Sequence, residues 1–144
     1  MSDFEQLYSG RLWSLLSWQQ LSDFWLRIGR GAGWYLYAVG EPPPAQPAGA
    51  DEVDEFIHRI DELLHKEHHH DYCGIVYADD LEQPRMVKIY DPNHLGSSCG
   101  SSKNPPPPGW VMSLAPPVEL QRAGPLPANR RRWWQALFPD SMAK

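Results

Sequence analysis

Positive charge is in short supply in this chain. Thirteen Lys and Arg stand against eighteen Asp and Glu, giving a net charge of −5 and a pI near 5.6. Binding nucleic acid in general needs a basic field that displaces counterions from phosphates, so that class of function is excluded as an expectation. Long apolar runs are missing as well, and no transmembrane segment is expected. Met1 is followed by Ser2, Asp3 and Glu5, an acidic start without the basic stretch of a secretory signal. A cytoplasmic address is the resulting expectation, and there Cys73 and Cys99, the two cysteines, stay reduced. The chain also lacks a P-loop, a dinucleotide-binding glycine fingerprint, an EF-hand loop and any internal repeat.

Aromatic residues, by contrast, are abundant. Seven Trp, six Tyr and four Phe sit in 144 residues that are 42% hydrophobic and 22% charged. The length suits one domain, 1–144, with a core of its own. A domain of this size rarely hides so many aromatic rings, so an aromatic-bearing surface is expected.

Ser2 with Glu5 forms a capping-box pattern that opens a helix through about Leu16. Ser17 with Gln20 repeats it and starts a new helix or a kink, with Leu21, Phe24, Trp25 and Ile28 as its apolar face. Residues 33–40, aromatic and branched between glycines, read as a strand, and 41–50 as a Pro/Ala loop closed to any helix. Asp51 is expected to cap a third helix whose stripe is Val53, Phe56, Ile57, Ile60, Leu63 and Leu64. Residues 72–78 and 85–90 read as strands joined by a charged turn at 79–84, close enough for an antiparallel hairpin. A Gly/Ser/Pro loop fills 91–109, a last strand 110–114, and Asn129 caps a short helix over 129–138. The chain thus divides into a helical part at 2–30, a mixed core at 33–118 and the terminal helix. The fold class is α+β: a small, mostly antiparallel sheet of about four strands with helices packed on one face.

Several motifs suggest chemistry. His65 and His69 are four apart and would share a face if their helix continued. With the His68 to His70 cluster, Cys73, His94 and Cys99 they contain the imidazoles and thiolates that suit zinc. The spacing of a zinc site is absent, however, and histidines also simply close a helix, so no cofactor is expected. Cys99, between Ser98 and Gly100 with His94 upstream, is a candidate thiol nucleophile with His94 as its base. The incidental thiol in a recognition loop is the favoured alternative. Residues 96–100 spell G-x-S-x-G, but the prolines at 105–108 forbid the helix that a nucleophile elbow requires. Cys73, next to a strand, reads as core packing, and a redox pair with Cys99 needs the loop to fold back. Asp79, Asp80 and Asp91 read as turn formers. Pro42 to Pro44 and Pro105 to Pro108 read as rigid loop segments rather than polyproline ligands. Arg130 to Arg132 before Trp133 and Trp134 read as a docked helix whose tryptophans face inward and whose arginines face water; an anionic surface is the other use of such a triplet.

No catalytic constellation emerges. The sequence points to a small accessory protein that binds a protein partner through the 91–110 loop and exposed aromatics. The residues expected to carry that contact are Asp91, His94, Ser98, Cys99, Lys103, Trp110, Arg131 and Trp134. A thiol- or metal-dependent protein centred on Cys99, His94 and the histidine cluster is the alternative.

Overall fold

The computed structural model describes residues 2–68, 73–92, 107–120 and 127–137. The first helix, α1 (Asp3–Ser9), opens as the capping box implies. Ser2 Oγ accepts from the Glu5 N–H at 3.2 Å, and Glu5 Oε1 accepts from the Ser2 N–H at 3.1 Å. It does not run to Leu16. It stops at Gly10, where any side chain would meet the Gln6 carbonyl oxygen at 3.0 Å. The chain then turns into a short strand, β1 (Trp13–Ser14), in place of the helix expected there. The new helix expected at Ser17 does form: α2 (Trp18–Leu26) is capped by Ser17 Oγ, which accepts from the Gln20 N–H at 2.9 Å.

Strand β2 (Tyr35–Ala38) follows Gly33, whose φ of +95° suits glycine alone. The longest helix, α3 (Ala50–Glu67), is capped two residues earlier than Asp51. Gly49 is the cap, its N–H donating to Glu52 Oε1 at 2.9 Å. Asp51 instead sits in the first turn, where a negative charge favours the helix N-terminus. All six residues of the apolar stripe are buried. His68 leaves the helix with extended backbone, φ −102° and ψ 97°, so the helix that would have aligned His65 with His69 does not continue. Strands β3 (Val76–Ala78), β4 (Met86–Ile89) and β5 (Trp110–Ser113) complete the sheet, and α4 (Ala128–Leu137) ends the described chain. Asn129 lies inside the first turn of α4 rather than capping it.

The fold is α+β with four helices and one antiparallel sheet among the described residues. The sheet has five strands, in the order β1-β3-β4-β5-β2. The fifth is β1, held at one edge by pairing Trp13 with Ala78 and Ser14 with Tyr77. The Leu15 N–H extends that edge by donating to the Val76 carbonyl at 2.9 Å, and the Cys73 N–H donates to the Leu16 carbonyl at 2.8 Å.

Strand alternation splits the core in two. Leu36, Ala38, Val76, Ala78, Val87, Ile89, Trp110 and Met112 form one apolar face. Over it pack α2 and α3, with Trp133, Trp134 and Leu137 of α4. Tyr37, Val39, Met86 and Val111 form the other face, covered by Phe4, Leu7 and Tyr8 of α1 and by Val118 and Leu120. The hairpin between β3 and β4 is built by its aspartates, as expected of turn formers. Asp79 Oδ1 accepts from the N–H groups of Arg85 and Met86 at 2.7 and 2.9 Å; Asp80 Oδ1 accepts from those of Glu82 and Gln83 at 2.8 and 3.0 Å. Among the described residues no helix is long and apolar enough to cross a membrane.

Candidate functional site

The segment between β4 and β5 leaves the sheet at Asp91 and returns at Gly109. These two residues lie side by side. A Cβ on Gly109 would come within 3.2 Å of the Asp91 Cβ and 3.4 Å of its backbone nitrogen, so glycine is what lets the two passes of chain approach. The Gly109 N–H donates to the Ile89 carbonyl at 2.9 Å, and its own carbonyl accepts from Val39 at 3.0 Å. The neck is thereby continuous with the sheet.

Arg130 locks this neck to the helices. Its Nε and Nη2 donate to the two Asp91 oxygens at 2.7 and 2.9 Å, while Nη1 and Nη2 donate to the two Glu67 oxygens at 3.1 and 2.7 Å. Both contacts are two-pronged, the geometry in which a planar guanidinium binds carboxylates most strongly. One side chain therefore joins the last residue of α3, the exit of β4 and the first turn of α4. Burial alone would lower the Arg130 pKa, but the hydrogen bonds and charges of Asp91 and Glu67 outweigh it and raise the value above that of ordinary arginine. Trp110 closes one side of the clamp, with the guanidinium carbon 5.9 Å from its ring centroid. Trp133 packs on Trp110 at 5.4 Å between centroids, and Trp133 and Trp134 both meet Phe56 edge-on.

Arg130 corrects the expectation that all three arginines face water. It is 4% exposed, and only Arg131 and Arg132 are exposed. Arg131 Nε lies 3.6 Å from Glu41 Oε1, which ties α4 loosely to the Pro/Ala loop. Asp91 and Trp110, expected to touch a partner, are 6% and 3% exposed and belong to the clamp instead. Trp134 is half-buried. His94, Ser98, Cys99 and Lys103 lie outside the described residues, as does His69. The structure thus brings Asp91, Trp110, Arg131 and Trp134 into one neighbourhood. Glu67, which sequence reasoning missed, completes it. As a glutamate ending an amphipathic helix it carried no local mark of its role.

The described metal candidates, His65 and Cys73, and the neighbouring His68 are engaged in other contacts. His65 stacks on Trp18 at 4.2 Å and pairs with Asp61 at 3.6 Å. Cys73 is fully buried in the core, and burial pushes its thiol pKa up, which suppresses the thiolate that would bind metal or attack. His68 Nε2 lies 2.8 Å from the Cys73 carbonyl oxygen. A carbonyl only accepts, so that nitrogen carries the proton and its lone pair is not offered to a metal. Among the described residues no group of three or more His, Cys, Asp or Glu is arranged to hold a metal ion.

No protein-family model, curated protein or solved structure matches this chain. The clamp and its surroundings alone carry the functional reading.

Proposed function

We propose that this chain is a small cytoplasmic accessory protein that binds another protein. Its contact surface is the loop rooted at Asp91 and Gly109 together with the outer side of α4. The observation that carries the reading is the Arg130 clamp, which fixes the neck of that loop to two helices at once. Binding loops work when a rigid scaffold positions their ends. A buried, doubly bidentate arginine supplies that rigidity at one such end. Asp91 and Trp110 then serve as anchors. The contacts fall to His94, Ser98, Cys99, Lys103, the exposed Arg131 and the outer edge of Trp134. No cofactor enters this reading.

The test is stoichiometric co-purification from the native host, comparing the unaltered chain with a variant carrying His94→Ala, Ser98→Ala and Lys103→Ala together, and with Arg131→Ala alone. One polypeptide held by the unaltered chain, weakened by Arg131→Ala and lost from the triple variant, with circular dichroism unchanged, supports the proposal. Equal retention by the triple variant overturns it. A Cys99 alkylated far faster than a peptide thiol also overturns it, in favour of thiol chemistry.

A further inference from the structure

The end of the sheet opposite the Asp91–Gly109 neck holds a cleft that the proposed binding role does not use. Strands β2 and β4 begin at that end and β5 finishes there. The cleft, about 570 Å³, lies between the end of α2 and the turn joining β3 to β4. Its buried lining residues, Trp34 and Pro84, make an apolar floor, and the exposed Arg27, Asp80, Glu82 and Arg85 make the rim. Trp34 is 2% exposed, and its indole N–H has no acceptor among the described residues. Buried donors are nearly always satisfied, so this one calls for an acceptor that the described chain does not supply. The rim carries both signs of charge with unused hydrogen-bonding groups. Arg27 Nη1 donates to the Leu81 carbonyl at 3.3 Å, which ties α2 to the turn. Its Nε lies 3.8 Å from Glu82 Oε2, beyond hydrogen-bond reach. Arg85 uses Nε on Asp79 Oδ2 at 3.1 Å, and its two Nη groups have no acceptor among the described residues. Asp80 Oδ1 is taken by the turn backbone at 2.8 and 3.0 Å, which leaves Oδ2.

We propose that this cleft binds a free α-amino acid whose side chain carries a carbonyl oxygen, with glutamine as the type. Two guanidiniums alone would select any small anion. The two carboxylates beside them repel a bare anion, and a bare cation meets the arginines, so the complement of this rim is a zwitterion. The volume lies within the range of about 300–1,000 Å³ that small-molecule sites occupy, and an apolar floor under a few polar groups is their usual build. The ligand carboxylate takes the two Nη groups of Arg85 as a two-pronged pair. The ammonium faces Glu82 and Asp80. The side chain crosses Pro84 and sets its carbonyl oxygen against the indole N–H of Trp34. The site is prepared in advance, because Asp79 and Asp80 fix the turn and Arg27 fixes the turn to α2.

Heteronuclear NMR titration of the full chain tests each contact separately. The probes are L-glutamine, N-acetyl-L-glutamine, L-glutamine α-amide and L-norleucine, which in turn keep all three recognition groups or lack the ammonium, the carboxylate or the side-chain carbonyl. L-Glutamine is expected to saturate one site and to move the Trp34 indole N–H signal, identified by its loss in Trp34→Phe. Each of the other three is expected to bind about tenfold more weakly or worse, because a site built around a polar group rejects the analogue without it. Arg85→Gln and Glu82→Gln, both at exposed positions, are expected to weaken L-glutamine severalfold with circular dichroism unchanged. No saturable shift up to about 10 mM L-glutamine overturns the proposal, since that ceiling is already a very weak affinity. Equal binding of any of the three analogues overturns it too, as does undiminished affinity in both folded variants. None of these results depends on a partner protein, so the proposed binding role stands or falls separately.

Discussion

Each face of the sheet hides a cation, and the two are handled in opposite ways. At the end of the face packed by α2, α3 and α4, Arg130 is surrounded by acceptors: two carboxylates engage all of its nitrogens. On the face packed by α1, Lys88 is covered by an aromatic ring and meets no carboxylate among the described residues. The environments shift the two groups in opposite directions, Arg130 further into its charged state and Lys88 toward neutrality. The contrast shows what a buried charge is for. A paired cation is a fastener, because breaking it strands its partners. An unpaired one is a liability for stability.

The sharpest way to break the contrast is to remove the fastener. Arg130→Met keeps most of the stem but removes the four hydrogen bonds that Asp91 and Glu67 accept from the guanidinium. Urea denaturation should show a loss of roughly 3–5 kcal/mol, the range for breaking one side of a buried ion pair. A smaller intrusion is Gly109→Ala, whose new methyl group presses on Asp91 from 3.2 Å. It should cost about 1–3 kcal/mol as an overpacked contact. In an Arg130→Met background the cost should shrink, because the position of Asp91 no longer matters to a clamp. Full additivity in that cycle would mean that Gly109 and Arg130 act independently.

The least disruptive change concerns the other cation. Lys88→Met is expected to be more stable than the unaltered chain near pH 7, by about 1 kcal/mol once solvent screening is allowed for. The sign with pH derives from the lowered pKa. Below about pH 8 the native state carries the full cost of the desolvated charge. Between there and the ordinary value of 10.5 the native amine is neutral while the unfolded one keeps its proton, so the cost fades as pH rises. The advantage of Lys88→Met should therefore shrink toward pH 10. Tyr8, raised to about 12, works the other way above pH 10, but it is present in both proteins and drops out of the difference. Urea midpoints at pH 7, 8.5 and 10 are the measurement.

How far the sequence could be read depends on the range of the interaction concerned. The α3 stripe was legible because its six apolar residues recur at helical spacing, a property of one segment alone. The hairpin aspartates were legible for the same reason, since they bond backbone a few residues away. The Ser2 cap told where α1 starts. Its end at Gly10 was missed because the next element, β1, is two residues long and exists by virtue of Val76–Ala78 far along the chain. Arg130 was missed for a like reason. Three consecutive arginines look identical in sequence, and the carboxylates that draw one of them inward lie 39 and 63 positions away. Lys88 showed its strand alternation plainly, but nothing near it announced that a helix from the N-terminus would cover that side.

The close approach of Asp91 and Gly109 has a consequence for what this scaffold tolerates. Because Asp91 and Gly109 lie side by side, the sheet and the Arg130 clamp already hold together the two ends from which any connecting segment starts. Lengthening such a closed segment costs little, about 0.6 kcal/mol for each doubling. The neck is therefore a socket into which foreign peptides of varied length and composition can be spliced while the sheet beneath keeps its register.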